Sequence, residues 1–132
     1  MPKPSSQPPP VILSVDHVQI TIPRGAEEAG RAFYCGLLGL PEVQKPTSLR
    51  ERGGFWVMAG QMPVHVGTED GVDRTLTKSH VAYRVNDLSA WRERLQYHGV
   101  AASEPAPVPG LLRLEFRDPF GNRVELVQPK AQ

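Results

Sequence analysis

Cysteine is almost missing from this chain. Cys35 stands alone among 132 residues, which excludes an intrachain disulfide, and its place within a helical pattern makes it a packed side chain rather than a reactive thiol. Charge of one sign is missing too. The net charge is +1 and the arginines are scattered, which excludes nucleic-acid binding by bulk electrostatics and a polybasic membrane clamp. Long apolar runs are absent, with none near the ~18 residues that span a membrane. The first ten residues, Met1 to Pro10, are proline-rich with no apolar signal core, and read as a disordered tail on a cytoplasmic protein. The length sets one domain.

What is present is alternation. In Val11 to Ile22, the residues Val18, Ile20 and Ile22 point one way and Val15, His17, Gln19 and Thr21 the other, because strand side chains alternate. Ala26 to Leu38 carries apolar residues at helical spacing, with Glu27 and Glu28 at its positive end and Gly39 as its stop. Pro41 to Lys45 reads as a short edge strand, and Thr47 to Arg52 as a charged loop. Gly54 to Ala59 and Met62 to Gly67 form a hairpin across Gly60-Gln61; a two-residue turn sets Trp56 opposite His65, with Met58 on the same face.

The order then repeats. Lys78 to Val85 is a second alternating strand carrying His80, and Asn86 or Asp87 caps a helix with Leu88, Trp91 and Leu95 that stops at Gly99 after His98. Val100 to Ser103 is a short strand candidate. Leu111 to Arg117 and Arg123 to Val127 make a hairpin around Asp118-Pro119-Phe120-Gly121-Asn122. One interval separates Gly39 from Gly99, Trp56 from Phe116 and His65 from Glu125, and His17 and His80 lie three residues further apart than that. The expected class is α+β: module 1 over about 11–67, a linker over 68–77, module 2 over about 78–127, and a tail over 128–132.

The repeat puts His17, His65, His80 and Glu125 at equivalent places, in the first and last strands of each module, where alternation turns them to one face. Three imidazole nitrogens and a carboxylate oxygen suit a divalent ion such as Zn, Ni, Mn, Co or Fe. Trp56, Met58 and Phe116 are either core or pocket wall. Arg84, on the face of His80, either steers an anionic substrate or pairs with a glutamate. His98, at a helix C-terminus, favours the dipole.

Asp16-His17-Val18, Arg31-Ala32-Phe33-Tyr34 with Leu38-Gly39-Leu40, His80, and Asp118 through Leu126 resemble the vicinal oxygen chelate superfamily, which holds glyoxalase I, fosfomycin-modifying enzymes, extradiol dioxygenases and bleomycin-resistance proteins. The resemblance runs from Val15 to Val127. It implies two βαβββ modules closing a cupped, partly open mixed sheet over a divalent metal, with His17, His80 and Glu125 matching the ligands of fosfomycin-type members. Where small bacterial glyoxalase I proteins have a glutamate, this chain has His65, so only Glu125 is left to shuttle a proton.

The resemblance further implies a homodimer with cavities shared between chains. The activity it implies is a metal-dependent isomerase or lyase on a small oxygenated substrate, with Gln19, Trp56, Met58, Arg84 and Phe116 lining the pocket. Thiol transfer and dioxygenase chemistry trail. A metal-free module that sequesters a drug-like molecule in an aromatic cleft is the competing expectation.

Overall fold

The computed structural model describes residues 7–131. The first module runs β1 (Val18–Ile22), α1 (Glu27–Arg31), β2 (Glu42–Val43), β3 (Phe55–Ala59) and β4 (Met62–Thr68). The second runs β5 (His80–Arg84), α2 (Leu88–Tyr97), β6 (Ala102–Ser103), β7 (Leu111–Arg117) and β8 (Arg123–Pro129). Each module is therefore strand, helix, three strands. Its sheet is mixed, ordered β1-β4-β3-β2 in one and β5-β8-β7-β6 in the other. This is the α+β pair of βαβββ modules that the repeat implies. The two sheets are not closed on each other by strand pairing among the described residues.

Register makes the repeat quantitative. β1 runs parallel to β4 with Gln19 opposite His65, and β5 runs parallel to β8 with Ala82 opposite Glu125. His17 and His80 each lie two residues before these positions, so they are structural equivalents. The inward faces are apolar: Val57, Val64 and Val66 in one sheet and Leu114, Val124 and Leu126 in the other are almost wholly buried. Phe33, Tyr34 and Leu95 from the helical segments cover them in one continuous core. Each such side chain contributes roughly 1.5–3 kcal/mol by leaving water.

Four local readings change. The first strand is shorter than its pattern, because Val11 to His17 find no ladder partner; Ile12 is 95% and Leu13 90% exposed. The last strand runs two residues past Val127, to Pro129. Thr47–Arg52 winds into a 3₁₀ turn rather than an open loop.

The helix is the fourth change. α1 ends at Arg31 and continues as a π-helical turn over Ala32–Leu37, where the Leu38 N–H reaches the Phe33 carbonyl at 2.9 Å. Phe33 and Tyr34, and then Leu37 and Leu38, are buried in the core along this segment, at a spacing an α-helix would share. Gly30 lets the segment lie close on its sheet: a Cβ there would meet Ile22 Cδ1 at 2.9 Å. No helix among the described residues is long and apolar enough to cross a membrane. Residues 1–6 of the expected tail lie outside the described residues, and residues 7–10 are exposed without strand or helix.

Side chains tie the modules together. The Tyr34 hydroxyl donates to Asp118 Oδ2 at 2.7 Å, and Asn122 Nδ2 donates to the Thr21 carbonyl at 2.9 Å. From the inter-module segment, Arg74 Nε donates to the same Thr21 carbonyl at 2.7 Å. Asp118 Oδ1 also accepts the backbone N–H groups of Phe120 and Asn122, each at 2.8 Å. The segment 118–122 is thus a reversal and a rivet at once.

Candidate functional site

Each module brings a pair of the expected residues together. In the first, β1 begins at Val18, so His17 sits at its mouth, with its side chain 43% exposed. The His17 ring stacks on His65 at 4.1 Å between centroids and 22° between planes. Trp56, the register partner of His65, covers the other face of His65 at 3.7 Å and 5°. His17 Nδ1 lies 2.8 Å from Asp16 Oδ2. An ionised carboxylate only accepts, so Nδ1 carries a proton, and in the neutral ring Nε2 is the nitrogen with the lone pair. Burial, and then the neighbouring His17, lower the His65 pKa and favour its neutral form. These residues, with Gln19, Met58, Lys45 and Arg52, line a cavity of about 880 Å³ beside the 3₁₀ turn.

In the second module, His80 Nδ1 lies 2.8 Å from the Lys78 carbonyl. A carbonyl only accepts, so this nitrogen also bears the proton. His80 Nε2 then faces Glu125 Oε1 at 3.4 Å. With the ring protonated this contact is an ion pair with Glu125. With the ring neutral, a nitrogen lone pair opposite a carboxylate oxygen is a seat for a cation, and two bonds of about 2.0–2.1 Å at a tetrahedral angle separate such donors by about 3.4 Å.

Glu125 is 5% exposed. Arg113 grips it with two hydrogen bonds, Nε to Oε2 at 3.2 Å and Nη2 to Oε1 at 3.0 Å. This guanidinium, with a smaller contribution from His80, holds the carboxyl below the usual glutamate range against the opposing effect of burial. Arg113 is itself anchored by the Ala106 carbonyl. Next to this pair, Arg123 Nε lies 3.2 Å from Glu115 Oε1. The side chain of Arg84, on the exposed face of β5, has no hydrogen bond or ion pair among the described residues.

Two expectations need correcting. Within one chain the four candidate ligands do not converge: they form the pairs His17–His65 and His80–Glu125. No group of three or more His, Cys, Asp or Glu among the described residues is placed to hold a metal. Within one chain the described residues thus offer two pairs of donors, one from each module.

Phe116 is not a pocket wall on the face of Glu125. Its register partner is Val124, and it is 3% exposed in the core beside Phe33. Glu115 is the residue opposite Glu125. The hairpin turns differ in length, Gly60-Gln61 against 118–122, so the residue equivalent to Trp56 is Glu115. Arg113 was the missed residue. Alternation from Glu115 turns it to the face of Glu125, and that signal was present in the sequence.

Two βαβββ modules with histidines at matching strand starts and His or Glu at matching last strands define an α+β fold of the vicinal oxygen chelate type. Residues 14–126 match the model of the Glyoxalase/Bleomycin resistance protein/Dioxygenase superfamily, and the chain belongs to that superfamily. A Bacillus anthracis protein assigned to the glyoxalase family is similar at 34% identity, covering 92% of this chain and 99% of its own, with a TM-score of 0.86. A mutant of the fosfomycin resistance protein FosX from Listeria monocytogenes shares the fold at 16% identity, covering 91% and 95%, with a TM-score of 0.75; it was solved with Mn(II) and a dihydroxypropylphosphonic acid. TnmS3, an antibiotic binding protein from Streptomyces sp. CB03234, is similar at 25% identity, covering 90% and 100%, with a TM-score of 0.64. None of the curated proteins matches the chain.

Proposed function

We propose that this protein is a divalent-metal-dependent enzyme of isomerase or lyase type that works as a homodimer. Each site would take His17 from one copy and His80 with Glu125 from a second. The observation that carries the reading is the 3.4 Å approach of His80 Nε2 to Glu125 Oε1, with the imidazole proton already committed to the Lys78 carbonyl. His17 supports it by engaging Asp16 through Nδ1 from a half-exposed position, which leaves Nε2 as the nitrogen for an ion. Two nitrogens and one oxygen leave room for substrate on a four- to six-coordinate ion.

Such an ion would supply Lewis-acid chemistry to two neighbouring oxygens of the substrate. The chain's own groups would do the rest. Arg113 keeps Glu125 ionised as a ligand, and by the same pairing weakens it as a base. Arg84 is free to draw an anionic group toward the face of β5. Gln19 and Met58 would wall the substrate on the side of the first sheet.

Metal analysis of untagged protein tests this. About one divalent ion per chain is expected, as is its loss in His17→Ala. A wild-type protein that stays free of metal when offered Mn(II), Zn(II) and Ni(II) would overturn it.

A second reading is favoured by the Trp56–His65–His17 stack beside the 880 Å³ cavity, together with the likeness to an antibiotic binding protein. It makes the chain a sequestering module that holds a flat drug-like molecule without metal. Ligand binding that is unchanged in chelator would favour it over the enzyme.

A further inference from the structure

We propose that His65 and Trp56 are positioning residues for His17, and that His65 is not a ligand of the ion that His17 would bind. A metal bound to imidazole lies in the plane of that ring, along the lone pair of the nitrogen. The planes of His17 and His65 are tilted by only 22° while their centroids are 4.1 Å apart face to face. Planes so nearly parallel share no point within bonding distance of both rings, so one ion cannot join them. Nor is His65 free to turn: Trp56 lies flat against its far face at 3.7 Å and 5°, held there by the register of β3 on β4. Neither ring nitrogen of His65 has a hydrogen-bond partner among the described residues. What His65 offers is its face.

His17 needs such a support. It precedes the first ladder residue of β1, outside the backbone pairing that stiffens a strand. A half-exposed side chain there would sample several rotamers, at a cost in affinity each time one is selected. Two contacts remove that freedom. Asp16 takes the Nδ1 proton and fixes the tautomer; His65, backed by Trp56, fixes the plane of the ring. Nε2 is left as the nitrogen without a hydrogen-bond partner among the described residues. Outer supports of this kind commonly account for 10–100-fold in metal affinity.

This rests on the metal reading above, and the two fail separately in a paired experiment on the full-length protein. The first arm is nitrogen-15 NMR of the histidine rings without metal at mildly alkaline pH. The wild type and His65→Phe should both show His17 protonated at Nδ1, and His65→Ala, in which the ring can turn out of the plane that meets Asp16, should show a mixture of tautomers. The second arm is Mn(II) binding followed by electron paramagnetic resonance. His65→Phe should keep wild-type affinity, because it restores a flat ring, whereas His65→Ala should lose roughly tenfold.

Loss of Mn(II) in His65→Phe with an unaltered His17 tautomer would make His65 a ligand and overturn the proposal. So would a His65→Ala variant identical to wild type in both arms. If the wild type binds no Mn(II), the metal reading falls and the tautomer arm alone decides the positioning role.

Discussion

Tyr34 and Asp118 meet across the two modules, with the phenol donating to a buried carboxylate oxygen at 2.7 Å. Burial and the charge of Asp118 push the Tyr34 phenol far above its ordinary value, and the same two causes raise Tyr83 to about 12. Tyr34→Phe removes one donor from a buried anion that keeps its others from Phe120 and Asn122. We expect a loss of about 1–3 kcal/mol in denaturant unfolding. In an alkaline absorbance titration, Tyr83 should ionise near pH 12 and Tyr34 only as the protein unfolds.

Glu125 makes stability fall in acid. Its carboxyl is held below the usual range, by Arg113 first, so between the unfolded and folded values the unfolded chain binds more protons. The stabilisation from this group is full above the unfolded glutamate value and is lost as pH drops through the lowered one. Arg113→Leu removes the main cause. Its melting temperature should be lower than wild type at neutral pH, and should fall less steeply below the ordinary glutamate range.

Gly54 should tolerate no side chain. Its φ is +78°, and a Cβ there would run into the Val66 carbonyl of the neighbouring strand. Gly25 has a φ of +80° and open space around it. Gly25→Ala should therefore lose about 1–2 kcal/mol from backbone strain alone, whereas Gly54→Ala should lose clearly more, or not accumulate as folded protein. Chemical denaturation of both variants makes the comparison.

Sharing of sites between copies has a genetic test. A mixture of His17→Ala and Glu125→Ala chains, refolded together, should regain metal in one of the two sites of each mixed dimer, because one site then receives both intact partners. If all ligands came from one chain, no mixture would bind.

The pattern of apolar and polar residues carried most of the fold, for a local reason. Val64 and Val66 flank His65, and Val124 and Leu126 flank Glu125, so the face of each candidate ligand could be read from its neighbours. The two-residue turn at Gly60-Gln61 likewise set Trp56 against His65 by counting outward. The same counting failed at Phe116, since an equal interval along the chain hid a turn of different length. The π-helical turn hid inside a helical pattern, because one inserted residue leaves the flanking spacing intact. The separation of His17 from His80 was not legible at all: it depends on how two sheets sit together, which no strand records.

Among the described residues β1 and β5 each carry a hydrogen-bonded neighbour on one side only, and one carbonyl of β1, that of Thr21, is taken up by Arg74 and Asn122. Bare ladder rims recruit whatever extended backbone is near. If the proposed dimer covers these rims, a mutation that blocks pairing should bring precipitation during concentration.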